Sequence, residues 1–166
     1  MKEFLEGRRL GFSPRSHLAF IAGGLGLGVT ISDLMSWFAL GSRDTNGFVV
    51  ANAWLAVTTA IVAVLATVTA LAESSDAADD DRPLARLDVL AAFVVFLLYA
   101  ASAGLRITDL SAAGASPGAV VAAFAGLIVL LVDGVIAATL YSSREWAVLD
   151  EEEYEPRRHQ KRRRAS

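Results

Sequence analysis

With 166 residues, 54% of them apolar, and a mean hydropathy of +0.47, the chain is sized for one domain and too apolar for an ordinary soluble one. Its net charge of −3 conceals a strong segregation of charge along the sequence. Cysteine is absent, which excludes disulfides, thiolate metal sites, cysteine nucleophiles and thiol-anchored haem.

The chain opens with an arm, residues 1–16, that carries Lys2, Arg8, Arg9 and Arg15. The first apolar run, His17 to Leu40, follows it. A basic lead before an apolar run also describes a secretory signal. This run is too long for one and no small-x-small cleavage site follows, so it reads as a retained helix. Three further runs cover Phe48 to Ala72, Leu84 to Leu105 and Gly118 to Tyr141. A spanning helix needs about 20 mostly apolar residues to cross about 30 Å of hydrocarbon, and each run has that length. Backbone groups in lipid must be satisfied within the protein, which leaves helices or closed barrels. The runs are continuously apolar and lack the two-residue alternation of barrel strands. The expected fold class is therefore all-α: a polytopic four-transmembrane-helix up-down bundle over residues 17–145. A charged tail, residues 146–166, is expected to be disordered.

Basic residues set the expected orientation. Of the 15 Lys and Arg residues, only Arg43 and Arg106 fall on one side of such a bundle. The positive-inside rule places the other side, with both termini, in the cytoplasm. The expectation is a multi-pass protein of a bacterial cytoplasmic membrane. Trp37 and Trp54 would then lie near the outer interface and Tyr141 and Trp146 near the inner one.

Small residues recur at four-residue spacing: Gly24 and Gly28 in the first helix, Ala100 and Gly104 in the third, Ala122 and Gly126 in the fourth. Such faces let helix backbones approach closely where lipid supplies no hydrophobic drive. They are expected to serve packing within the bundle, with a homodimer seam as the sharper alternative.

Ionisable residues inside the runs are the most informative feature. Asp33 lies in the first helix and Asp133 in the fourth, and a charge at a helix centre costs about 2.5–3.5 kcal/mol on the insertion scale. Both are expected to face the bundle. Arg106 closes the third helix at a depth from which it reaches Asp33. Asp88 lies near the inner end of the third helix, with Arg86 and His17 at similar or shallower depth. Asp133 has no evident cation at its depth. It is expected to be a neutral carboxyl donating a hydrogen bond to Thr58 or Thr59, to Ser102, or to a carbonyl near Gly26 or Gly28.

No zinc-protease, nucleophile-elbow, phosphate-loop or dinucleotide motif occurs. Gly24-Leu25-Gly26-Leu27-Gly28 sits inside an apolar helix, where it serves packing. The two histidines, His17 and His159, do not suit a bis-histidine haem, since His159 belongs to the polar tail. No cofactor, metal or catalytic residue is expected. The tail sets acids from Asp150 to Glu155 before Arg157, Arg158, Lys161, Arg162, Arg163 and Arg164. Basic clusters beside a leaflet attract anionic lipid, which makes these six candidates for lipid or partner contact. Nucleic acid is not expected, because no folded basic face or aromatic interleaving accompanies them.

His17 at the start of the first helix, Asp33 near its end, Arg106 closing the third, and Thr139-Leu140-Tyr141-Ser142-Ser143-Arg144 ending the fourth form a pattern. Over residues 13–148 it resembles a family of bacterial four-helix membrane proteins catalogued as a domain of unknown function. Members usually carry Pro after the first His and again in the first half of that helix, and often a His at the start of the third. This chain has neither Pro and has Arg86-Leu87-Asp88 in place of the second His. The resemblance implies the fold and no established activity.

The expected function is that of a structural or accessory membrane protein, acting through helix contacts with itself or with a larger membrane complex. The alternative is a small proton, ion or solute conduit using Asp33 and Asp133.

Overall fold

Pro14 opens the first helix of the computed structural model, ahead of the apolar run. The structure describes residues 14–38, 40, 47–75, 77–108, 110–112 and 114–163, with side chains as far as Leu140. Four helices account for most of them: α1, Pro14–Trp37; α2, Gly47–Ser74; α3, Arg82–Ile107; and α4, Pro117–Arg163. Proline begins α1 and α4 and occupies the first turn of α3. First-turn N–H groups have no acceptor within the helix, so proline loses nothing there and its fixed φ favours the start.

Each helix has an apolar stretch long enough to span: 24, 28 and 26 residues in α1 to α3, and 24 in the Pro117–Leu140 part of α4. At about 1.5 Å per residue, all exceed a hydrocarbon core of about 30 Å. Beyond its span the backbone of α4 stays helical to Arg163, where the sequence predicts a disordered tail. Glu, Arg, Lys and Gln are good helix formers, and extending an existing helix requires no new nucleus.

The contacts run α1 to α2, α2 to α3, α3 to α4 and α4 back to α1. This closes a four-membered ring in which α1 and α3 face one another across a diagonal. The buried face of α1 is Arg15, Ala19, Ala22, Gly26, Val29, Asp33 and Ser36, an alternation of fours and threes. A 3.5-residue repeat of this kind is the seam of left-handed helix packing. On α2 the buried face is lined with alanine, from Ala53 through Ala56, Ala60, Ala63 and Ala66 to Ala70.

The distribution of side-chain size is the reverse of a soluble bundle. Small residues fill the interior, while Phe20, Leu34, Trp37, Trp54, Val121 and Leu131 are exposed. Water would penalise so large an apolar surface, whereas lipid does not. The chain is a multi-pass membrane protein with a four-helix bundle fold.

Candidate functional site

Two buried ionic clusters stand at opposite ends of the bundle, each built around an arginine. At one end, Arg106 of α3 donates to Asp33 of α1 from Nη1 to Oδ1 at 2.7 Å and from Nη2 to Oδ2 at 2.6 Å. Asn52 of α2 adds a third donor to the Asp33 carboxylate, its Nδ2 also 2.7 Å from Oδ1. The remaining Arg106 donor, Nε, bonds the Ser102 hydroxyl at 3.1 Å, and that hydroxyl donates to the carbonyl of Ala119 on α4 at 2.8 Å. One network therefore joins all four helices, and Asn52 and Ser102 are fully buried within it.

At the other end, Arg15 of α1 donates from Nε and Nη2 to the two oxygens of Asp88 on α3, at 3.0 and 2.8 Å. Its Nη2 also meets both oxygens of Asp133 on α4, at 2.6 and 2.7 Å. Arg15, Asp88 and Asp133 are all buried. This corrects the expectation for Asp133: its partner is a cation, not a hydroxyl or a carbonyl. The other candidates are engaged elsewhere, Thr58 with Trp54, Thr59 with Leu55 and Ser102 with Ala119. By hydropathy Arg15 belongs to the flanking arm, because polar residues precede the apolar run. Helix α1 starts at Pro14, so Arg15 lies within it and on its buried seam.

The two clusters share a geometric rule. Arg15 and Asp88 are 73 positions apart, as are Asp33 and Arg106. On each helix the two charges are separated by about five turns, or about 27 Å. Whole turns put both charges on one face, and the order is reversed between helices: Arg then Asp on α1, Asp then Arg on α3. The pairing holds α1 and α3 parallel and in register across the diagonal.

Tyr99 fills the layer between the clusters. It is completely buried, and its hydroxyl has no hydrogen-bond partner among the described residues. Its ring lies between Gly26 of α1 and Gly126 of α4. A Cβ on Gly26 would strike the hydroxyl, and one on Gly126 would come within 2.8 Å of Cε2. Around it pack Ala22, Val29, Ala56, Val95 and Leu130.

The other sequence candidates lie apart from these clusters. His17 is exposed. Gly24 and Gly104 are exposed, and a Cβ at either would have no atom within 4 Å, while one on Gly28 would only touch Leu55 at 4.0 Å. Ala100 and Ala122 are half-buried. The close approach on α1 thus falls at Gly26 rather than at the Gly24 and Gly28 pair, because the seam passes through Ala22, Gly26 and Val29. The side chains of Arg157, Arg158, Lys161, Arg162 and Arg163, and Arg164 as a whole, lie outside the described residues.

Sequence reading missed Arg15 as a buried cation, and also Asn52 and Tyr99. Extending the seam from Asp33 back through Ala22 and Ala19 reaches Arg15, so a signal for it was present. Asn52 is a polar side chain inside an apolar run, itself a pointer to the bundle interior. Comparison with protein-family models, with curated proteins and with solved structures returns no match.

Proposed function

We propose that the chain is a structural or accessory component of its membrane, a rigid bundle that acts through helix contacts with a second copy or with a larger membrane complex. The observation that carries this reading is the pair of arginine clamps, which engage Asp88 and Asp33 in fixing α1 against α3 and Asp133 in tying α1 to α4. Between the clamps the core is Ala, Val, Leu and Tyr, with no chain of polar groups linking one end to the other among the described residues. Gly24 and Gly104, exposed toward lipid, are places where a neighbouring helix gains a close approach.

The distribution of Lys and Arg supports a bacterial cytoplasmic membrane with both termini inside, the Arg15 cluster toward the cytoplasm and the Arg106 cluster toward the outside.

The conduit reading rests on Asp33 and Asp133, each of which is held by an arginine. Reconstitution into liposomes separates the two. A structural component leaves proton and cation flux at the level of empty vesicles and copurifies with itself or a stoichiometric partner in mild detergent. A flux that Asp133→Asn and Asp33→Asn abolish would replace this reading with the conduit.

A further inference from the structure

We propose that the Arg15 cluster is a binding site for a single proton, and that Asp133 holds it. The Arg106 cluster supplies the internal comparison. There one guanidinium meets one carboxylate, Asp33, and the additional partner is the uncharged amide of Asn52. At the Arg15 end one guanidinium meets two carboxylates. Fully ionised, that cluster carries one excess negative charge, with exposures of only 3% for Arg15, 4% for Asp88 and 2% for Asp133. An uncompensated charge in such surroundings is costly, and a proton on one carboxylate removes it.

No second cation among the described residues relieves the excess. The cation bonded to Asp133 is Arg15, which it shares with Asp88. On α1, His17 is exposed. On α2 the buried polar residues at this end are Thr67 and Thr69, both bonded to carbonyls of their own helix, and Glu73 is a further acid. On α3, Arg82 and Arg86 are exposed, and Arg82 pairs with Asp79. On α4, Asp133 is the single titratable residue of the Pro117–Leu140 span.

Donor geometry selects Asp133 over Asp88. Asp88 has two separate nitrogens of Arg15, Nε on one oxygen and Nη2 on the other. Among the described residues, both oxygens of Asp133 rest on Nη2 alone. That nitrogen has two hydrogens and faces three oxygens, while Nη1 is buried without a partner among the described residues. Asp133 is the carboxylate whose ionised form is short of donors. Protonation forms one O–H bond on an Asp133 oxygen, with the proton taken from hydronium, and brings the cluster from one negative charge to neutral. No electron transfer is involved. A cavity of about 10 Å³, the space of a single water, lies against Arg15 and Asp133 among Ala19, Ala63, Ala92 and Leu130.

Infrared difference spectroscopy on the full chain in lipid tests this. The wild type should show a protonated-carboxyl band at neutral pH. Asp133→Asn should abolish it, and Asp33→Asn should leave it in place. No band in the wild type, or a band that survives Asp133→Asn, would overturn the proposal. Should the Asn variant not fold, Asp133→Glu in protein carrying 13C-labelled aspartate gives an independent reading. The band should then lose its isotope shift, because the unlabelled Glu bears the proton. A retained shift would place the proton elsewhere and reject the assignment.

Discussion

Arg106 reaches across the diagonal of the bundle and grips Asp33 through two parallel hydrogen bonds of 2.7 and 2.6 Å. The same relationship, with the charges exchanged, joins Arg15 to Asp88 about 27 Å away along the same two helices. Sliding α1 against α3 by one residue would break both pairs at once and leave charges unpaired in lipid. Register is therefore specified by electrostatics in a bundle whose alanine-rich faces specify it weakly.

Arg15 should be the costliest single charge to remove. Arg15→Gln leaves Asp88 and Asp133 buried side by side without a cation, and breaking a buried pair costs about 3–5 kcal/mol. Thermal unfolding in detergent should show a larger loss for Arg15→Gln than for Asp88→Asn or Asp133→Asn. Combining Arg15→Gln with both Asn changes should recover much of it.

Tyr99 should respond differently to its two glycines. A methyl on Gly26 meets the hydroxyl, whereas one on Gly126 meets the ring edge. Each Gly→Ala change should cost about 1–3 kcal/mol through overpacking. In a Tyr99→Phe background the Gly26→Ala cost should fall and the Gly126→Ala cost should persist. Tyr99→Phe alone should be neutral or stabilising by about 1 kcal/mol, since it deletes a buried hydroxyl without a partner. A Tyr99→Phe variant that unfolds at lower temperature would show that the hydroxyl makes a bond in the membrane.

Gly24 and Gly104 separate folding from association. Because a Cβ at either position would meet no described atom within 4 Å, Gly24→Leu and Gly104→Leu should leave the thermal stability of the isolated protein within about 1 kcal/mol of wild type. If these positions receive another helix, the same changes should reduce copurification of the second copy or the complex. Unchanged association in both variants would locate the contact on another face.

The fold was legible because hydropathy reports it directly: four runs, each long enough to span, with punctuation between them. The Asp33 and Arg106 pair was also within reach, since both lie at the same end of their runs and a buried carboxylate requires a partner. Arg15 was harder to place, because hydropathy averages over windows and a charged residue beside a run is counted as flank, although the seam through Ala22 and Ala19 leads back to it. Its role depends on where Pro14 starts the helix and on the phase of a 3.5-residue seam. Tyr99 was hidden for another reason. A tyrosine in an apolar run reads as an interfacial anchor or as filler, and its place between Gly26 and Gly126 is set by tertiary packing alone.

Orientation has a direct check. Cysteines placed at Ser42 and Ser111 should react with an impermeant maleimide in intact cells, because the basic residues place both connections outside. Labelling that appears only after lysis at both sites would reverse the proposed orientation.

The central claim, that arginine clamps tie α1 to α3, is tested most directly by a double-mutant cycle at Asp33 and Arg106, read by thermal unfolding of the purified protein. Asp33→Asn and Arg106→Gln should each be destabilising, because each leaves one buried charge alone. The double variant should be more stable than the sum of the two losses predicts, by at least about 1 kcal/mol, because neither charge is then orphaned. Losses that simply add would mean that the two residues do not interact, and would contradict the account.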